Sequence, residues 1–546
     1  MVYEDRPDLE VILKLEPRRA LLMRTGFSNT LLFSRTSARL LSALLFVAFI
    51  PGVMFAEADV QQVNDNDFRA QLKRGEKLAR RGDFVEAEKA FKRAIELDPA
   101  HSGAKLKLAF VLIKQRRLRE AYDLTYPLAK AEPKNSDAFA MLGATLLSAG
   151  KFPEARTILY NSLRLNKKEA LAWAGMGMLE FYENRIFESL ANLQQAVFHD
   201  SNEPDYFFAL AQVSARAERY KDAADAYTQF LALSRNTDDE RRLRIKGLIN
   251  FLRFLGAKQS LYVTVGEAET SVPIQIVGNR PVIEMRINGR EKPMRFVLDT
   301  GSGISVISDE TAKALRIEPI TRGGFAKGIG GDGRFEIVYG FLRQVEIGQV
   351  DIRNVPVYIR KFHNDTDTVD GYIGLSLISK FLTTLDYGDL KFSLTKRESD
   401  ETDPSGNSVS LPLRLTSSGF LSGEVQVEGI EEPLNFIVDT GASVSVISDD
   451  VANMKVASTF IRSEKMRVIG SAGVTDDVPS FLLPKVSFGN HSRTSITAIA
   501  LDLDMINEAS GFEQAGILGG NFLRNYRMTF DFKKSKVTFV PINGGR

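Results

Sequence analysis

The stretch Phe296-Val297-Leu298-Asp299-Thr300-Gly301-Ser302 decides the reading of this chain, because it returns as Phe436-Ile437-Val438-Asp439-Thr440-Gly441-Ala442. In both copies an apolar run ends at Asp-Thr-Gly, as a buried strand running into a tight turn would. The residues that follow repeat as well. Ser305-Val306-Ile307-Ser308-Asp309 recurs unchanged as Ser445-Val446-Ile447-Ser448-Asp449, 140 residues downstream. The chain therefore carries an internal duplication, and each half delivers one carboxylate.

The remainder of each half matches in pattern more than in identity. Gly371-Tyr372-Ile373-Gly374-Leu375 corresponds to Gly516-Ile517-Leu518-Gly519-Gly520, and both run on into strands ending Leu385-Asp386-Tyr387 and Phe530-Asp531-Phe532. These later landmarks are offset by 145, so the second half has gained a net five residues. Between them lies a glycine-rich loop, Gly328-Ile329-Gly330-Gly331-Asp332-Gly333, with the thinner counterpart Ile469-Gly470-Ser471-Ala472-Gly473.

From about Val272 to the C-terminus, these residues resemble the retropepsin-like aspartic peptidases. Each half holds four motifs in order: the Asp-Thr-Gly triplet, flap glycines, a paired-apolar-plus-glycine turn and a final strand. Two copies in one chain resemble a retropepsin dimer fused into one polypeptide, the arrangement pepsin-type enzymes also adopt. The resemblance implies that Asp299 and Asp439 are catalytic, supported by Thr300, Gly301, Thr440 and Gly441. It implies that Thr300 and Thr440 hydrogen-bond across the lobe interface. Gly328, Ile329, Gly330, Gly331, Ile469 and Gly470 would form the flaps over a substrate.

The chemistry accounts for the residue types. Two carboxylates about 3 Å apart cannot both ionise, so they share a proton. The ionised partner acts as general base on a water, and the protonated one polarises the scissile carbonyl. No metal, cofactor or covalent intermediate is needed. The bland alternative makes both aspartates turn residues closing ordinary strands; the matched duplication argues against it.

The N-terminal half has a period of 34. Ala87, Ala121, Ala155, Ser189 and Ala223 fall on it, as do Gly75, Ala109, Gly143, Gly177 and Ala211. Bulky residues recur at Phe84, Leu118, Phe152, Ile186 and Tyr220, and Pro99 and Pro133 close the first two units. This resembles the tetratricopeptide pattern, a helix–turn–helix unit whose small residues let paired helices pack closely. Five units build a solenoid, and Glu240 to Leu252 reads as a helix capping it. The resemblance implies a protein partner in the repeat groove. Trp173, the single tryptophan, falls at the fourth position of unit four and reads as core.

Ahead of the repeats, Leu40-Leu41-Ser42-Ala43-Leu44-Leu45-Phe46-Val47-Ala48-Phe49-Ile50 follows Arg35 and Arg39 and precedes Ala56-Glu57-Ala58. A basic flank, a short apolar core and an Ala-x-Ala end predict a secretory signal peptide over 1–58, with Met23 as a possible true start. Eleven apolar residues fall short of the roughly twenty a membrane span needs, although an uncleaved segment would act as an anchor. The expected location is extracytoplasmic, periplasmic or secreted.

The 71 basic and 69 acidic residues give a net charge of +2, which predicts no nucleic-acid partner. The absence of cysteine excludes disulfides and thiol catalysis. The histidines at 101, 199, 363 and 491 lack zinc-ligand spacing, and Gly328-Ile329-Gly330 lacks the sequel of a phosphate loop.

The predicted fold is multidomain α + β, an α-solenoid followed by two mainly-β lobes forming a pseudo-dimer. The expected boundaries are 68–255 for the repeats and their cap, 256–271 for a linker, and 272–397 for the first lobe. An acidic linker, 398–407, leads into the second lobe, 408–546. The expected function is an exported aspartic endopeptidase acting on a peptide or protein substrate. The alternatives are a scaffold whose lobes hold peptides without cutting, or an enzyme active only as a homodimer.

Overall fold

The computed structural model describes residues 56–234, 238–258, 260–330, 333–363, 369–396 and 409–542. The apolar run 40–50, the linker 398–407 and Gly331 lie outside them. Among the described residues no helix is long and apolar enough to cross a membrane. The chain divides into two compact units, one ending at Pro133 and one running from Lys134 to the C-terminus.

The first unit holds two helical hairpins, α1 (Ala56–Arg81) with α2 (Phe84–Leu97), and α3 (Ser102–Lys114) with α4 (Leu118–Ala131). The first helix begins well before position 68, where the 34-residue frame starts. The small residue at Gly75 has a direct steric cause: a Cβ there would sit 2.5 Å from the Phe91 ring of the paired helix. His101 caps α3 by accepting a hydrogen bond from Ala104 N through its side chain.

The second unit opens with three hairpins: α5 (Ser136–Ser148) with α6 (Phe152–Leu165), α7 (Ala170–Tyr182) with α8 (Ile186–His199), and α9 (Pro204–Arg216) with α10 (Tyr220–Leu233). Gly143 and Gly177 face Leu159 and Leu193 as Gly75 faces Phe91. The capping helix α11 spans Asp239–Gly256, its N-terminus capped by the Asp238 carboxylate. Trp173 is half-buried, and its indole N–H donates to the Lys167 carbonyl at 2.8 Å.

Each of these hairpins turns through a residue with positive φ at the same place in the repeat, Gly150, Asn184 and Glu218. The same turns dock on the β lobes. Lys151 pairs with Glu432 at 2.6 Å, and Asn184 donates to the Phe532 carbonyl at 3.0 Å. Glu218 pairs with Lys380. Phe152 and Tyr182 both pack on the Phe512 ring, with centroids 4.9 Å away. Arg216 donates to the Thr416 carbonyl at 2.7 Å and lies over the Phe181 ring. These three repeats are thus part of one body with the lobes.

In lobe 1 the strand carrying the triplet, Met294–Leu298, lies parallel to Gly371–Ile373 and antiparallel to Arg280–Ile287 in a nine-stranded sheet. Asn288 and Gly289, both with positive φ, make the tight turn expected of Asn-Gly after Arg280–Ile287. In lobe 2, Leu434–Val438 lies parallel to Gly516–Leu518 in an eight-stranded sheet. The duplication is thus repeated in the topology.

A third sheet joins the lobes. Its six strands comprise three from each lobe, and its centre is the antiparallel pair Leu382–Asp386 and Tyr526–Asp531. Thr384 and Thr529 bring their hydroxyls within 3.1 Å across that seam. The aspartate ending each strand is a turn former: Asp386 accepts from Gly388 N and Asp389 N, and Asp531 accepts from Lys534 N. One apolar core runs from Ile283, Phe296 and Leu298 through Leu385 and Phe530 to Phe436 and Val438.

The stretch 256–271, expected as a linker, is largely ordered into lobe 1. Val263–Gly266 pairs with residues 350–353, and Glu269–Pro273 edges the shared sheet through Lys391–Thr395. Both are edge strands of mixed polarity, so their pairing, not their composition, makes them strands.

Candidate active site

Each triplet sits where a strand ends under its partner lobe. Asp299 N donates to Ile373 O and Asp439 N to Leu518 O, both at 3.0 Å, so each aspartate is anchored by the strand parallel to its own. The paired-apolar-plus-glycine turns complete the anchor. Gly374 N and Gly519 N donate to the hydroxyls of Ser305 and Ser445, both at 3.1 Å. A Cβ on either glycine would sit 2.7 Å from a backbone carbonyl carbon, of Ile304 or Val444, so only glycine fits.

The threonines cross over. Thr300 N donates to Thr440 Oγ1 at 3.2 Å and Thr440 N to Thr300 Oγ1 at 3.1 Å. Each hydroxyl in turn donates to a carbonyl of the opposite lobe at 2.6 Å, Thr300 to Val438 and Thr440 to Leu298. Both threonines are buried, so these four bonds are made without competition from water.

The crossed threonines bring Asp299 and Asp439 of one chain face to face, close enough to share a proton. The glycine of each triplet abuts the carboxylate of the other lobe. A Cβ on Gly301 would lie 2.4 Å from Asp439 Cγ, and one on Gly441 would lie 2.7 Å from Asp299 Cγ. Burial raises the proton affinity of both carboxyls. For Asp299 the repulsion of the neighbouring carboxylate adds to it. The pair therefore holds a proton well above the usual carboxylate range.

The environment is unequal. Asp439 Oδ1 accepts from Gly441 N at 2.7 Å and from Ala442 N at 3.2 Å, whereas Asp299 Oδ1 accepts from Gly301 N at 3.0 Å. In lobe 1 the position matching Ala442 is Ser302, whose hydroxyl turns away to Ile304 O. More amide donors stabilise the charged form, so the shared proton favours Asp299.

Above the pair, two hairpins meet at their tips. Thr321–Lys327 pairs with Arg334–Ile347 in lobe 1, and Ile461–Ile469 with Val474–Phe488 in lobe 2. Ile329 N donates to Ser471 Oγ at 3.2 Å, and its carbonyl accepts from Ala472 N at 2.8 Å. Gly328 and Gly330 lie at the first tip, and Gly470 opens the second, its N–H bonded to Gly473 O. Ile469 is exposed at the end of its strand. The thin glycine signature of the second loop concealed a hairpin as long as the first.

The capping helix packs on the lobe 1 hairpin. A Cβ on Gly247 would lie 2.5 Å from Arg322 O, Arg244 donates to the Phe325 carbonyl at 3.1 Å, and Glu240 pairs with Arg334 at 2.5 Å. The helix thus grips both strands of one flap. Motif reading did not find this contact, because the 34-residue period ends before α11.

Two β lobes that each present an Asp-Thr-Gly turn to the other resemble the lobes of aspartic proteases, here preceded by helical repeats. Residues 283–377 and 423–522 match the aspartyl protease family profile, and residues 78–145 and 175–237 match tetratricopeptide repeat profiles. The chain carries two tandem aspartyl protease regions and tetratricopeptide repeats. Among solved structures, an aspartic proteinase from Irpex lacteus aligns at 14% identity and a TM-score of 0.35, covering 50% of this chain and 98% of that one. A thermophilic tetratricopeptide protein of Thermus thermophilus aligns at 21% identity and TM-score 0.30, covering 33% and 98%. The pilF protein of Pseudomonas aeruginosa aligns at 17% and 0.27, covering 36% and 89%. No curated protein matches the chain.

Proposed function

We propose that this protein is an aspartic endopeptidase in which Asp299 and Asp439 activate one water between them. The observation that carries this reading is the pair of facing, half-buried carboxyls held by the crossed threonines beneath two joined hairpin tips. Asp439, richer in amide donors, is the base that takes a proton from the water. Asp299 donates its proton to the carbonyl oxygen of the scissile bond. The collapse of the tetrahedral intermediate returns a proton to the leaving amine. The substrate lies extended below the hairpin tips, which must part to admit it.

The repeats supply a docking face for a protein partner or for a protein substrate. The protein acts outside the cytoplasm, a proposal resting on the basic, apolar and Ala-x-Ala order of residues 35–58. N-terminal sequencing of the cellular protein tests it: a mature chain starting near Ala58 agrees, and one retaining Leu40 in the membrane fraction does not.

The deciding experiment incubates the purified chain with a mixed peptide library from acid to mildly alkaline pH. Internal cleavage that a statine-type inhibitor blocks, and that neither Asp299→Asn nor Asp439→Asn retains, is the expected result. No cleavage at any pH by a folded chain would leave a peptide-holding scaffold.

A further inference from the structure

The two walls of the cleft differ at one matched position. In lobe 1, Ser308 is paired with Arg360 across parallel strands; in lobe 2 the repeat-equivalent Ser448 is paired with Leu501. Leu501 packs against the apolar group that also takes in Ala442 and the flap-tip Ile329. The same wall of lobe 1 carries a cation.

Arg360 is half-buried, and its Nε has no hydrogen-bond partner among the described residues. No carboxylate among the described residues forms an ion pair with it. What surrounds it is aromatic: the guanidinium lies 5.3 Å from the Phe335 ring of the flap strand and 5.8 Å from the Phe362 ring. Phe362 in turn packs edge-on against Tyr372, at 5.3 Å, in the strand beside the Asp299 turn. Arg360 and Asp299 feel each other's charge, and burial lowers the proton affinity of the guanidinium.

Among the described residues the carboxyl that Arg360 feels is Asp299, which makes no ion pair with it and favours its protonated form. Two cation–π contacts at 5.3 and 5.8 Å return only part of the cost of burying the guanidinium. The fold gains nothing visible from the arrangement, whereas a ligand carboxylate would complete it with a bidentate fork. We infer that Arg360, between Phe335 and Phe362, forms a subsite for an acidic side chain next to the scissile bond, opposite an apolar subsite lined by Leu501. The inference rests on the peptidase reading for the word scissile, but the carboxylate site itself does not. Unequal walls also fix the direction in which a peptide lies in a cleft otherwise built by duplication. A glutamate or aspartate flanks the bond on the Asp299 side, and an apolar residue flanks it on the Asp439 side.

The test uses the full chain and terminally blocked peptides, so that no terminal carboxylate competes. Peptide pairs differ only by Glu against Gln on one side of the bond or the other. The expected result is a kcat/KM at least about 10-fold higher for Glu on one side and no preference on the other, as a charge-assisted bidentate contact would give. Arg360→Met should bring the ratio near unity, and Arg360→Lys should keep part of it.

On the Gln peptide, Arg360→Met should move the alkaline limb of the pH profile upward. Asp299 then loses a nearby positive charge and keeps its proton longer. The other ionisable groups facing this corner are Asp439, Tyr372 and Arg280; losing Arg360 pushes the Tyr372 phenol, already held above its ordinary value by burial, further up and so leaves the limb to Asp299.

A binding arm separates the two hypotheses. Anisotropy of labelled Glu and Gln peptides on the Asp439→Asn chain should show Glu bound at least about 5-fold tighter, and Arg360→Met should abolish the difference. A chain that cuts nothing yet binds Glu selectively through Arg360 would overturn the peptidase reading and keep the carboxylate site. Equal handling of Glu and Gln in both arms, a preference surviving Arg360→Met, or binding only of peptides with a free C-terminal carboxylate would overturn the inference.

Discussion

Thr300 and Thr440 stand 140 residues apart in sequence, yet each backbone N–H is bonded to the hydroxyl of the other. The same hydroxyls donate onward to Val438 O and Leu298 O, so the lobes are stitched at the strand ends that bear the aspartates. Thr300→Ala leaves Thr440 N and Val438 O buried and unpaired, at about 1–3 kcal/mol each. Thr300→Ser should lose far less. Denaturant unfolding checks both. The double variant with Thr440→Ala should cost less than the sum of the singles, because the two share one network.

Asp299→Asn and Asp439→Asn should each abolish cleavage while the chain stays folded. Both carboxyls have folded-state proton affinities above their unfolded values. Their contribution to stability is therefore complete below the unfolded pKa near 3.8 and declines as pH rises through the folded one. An asparagine variant should accordingly gain melting temperature over the parent at mildly alkaline pH and gain little near the unfolded pKa. Thermal scans at the two pH values measure this. A homodimer of like lobes would keep partial activity in one single variant and lose it on dilution, whereas lobes paired within one chain keep a constant specific activity.

Gly301→Ala tests the packing of the pair directly. The added methyl meets the Asp439 carboxylate at 2.4 Å, and that carboxylate is held by the amides of Gly441 and Ala442. The side chain must therefore move. The kcat should fall by about 100-fold or more, as misplacement of a reacting group does, while the circular dichroism spectrum is retained.

In the repeats, Glu169 is pushed from 4.5 up to about 7 by burial and by the neighbouring Asp137. The neutral form suits the fold, so this contribution is whole below about pH 4.5 and lost as pH rises through about 7. The chain should melt higher at mildly acidic than at mildly alkaline pH, and Glu169→Gln should flatten that slope. A variant with the parent's slope would show that other groups set it.

The α11 contact predicts that cleavage depends on the repeats. Gly247→Val forces the helix away from Arg322 and should change kcat and KM together through the flap. A chain starting at Ser271 removes α11, the strand Val263–Gly266 and part of an edge strand. It should aggregate or lose most activity, whereas independent modules would leave short-peptide cleavage intact.

Duplication made the paired aspartates, the turns and the strands ending at Asp386 and Asp531 legible in sequence, because each landmark had a twin at a fixed offset. Neither strand is the final one, however: Lys391–Thr395 and Lys536–Pro541 follow them. The helical period was legible because Gly75, Gly143 and Gly177 answer the same steric demand. Other features depend on partners distant in the chain. Glu269–Pro273 is a strand only because Lys391–Thr395 lies beside it. Arg360 carries no motif in the sequence, and only the topology sets it near Asp299. The first helix is already formed at Ala56, ahead of the repeat frame, which the 34-residue period could not show.

The shared sheet has a consequence for timing. Its central pair joins Thr384 to Thr529, and its last strand, Lys536–Pro541, follows both triplets in the chain. A ribosome delivers the helices first, then lobe 1, and only afterwards the strands that seat Asp439 opposite Asp299. A nascent chain still awaiting those strands cannot possess the dyad. Topology alone thus withholds the paired carboxyls through most of synthesis.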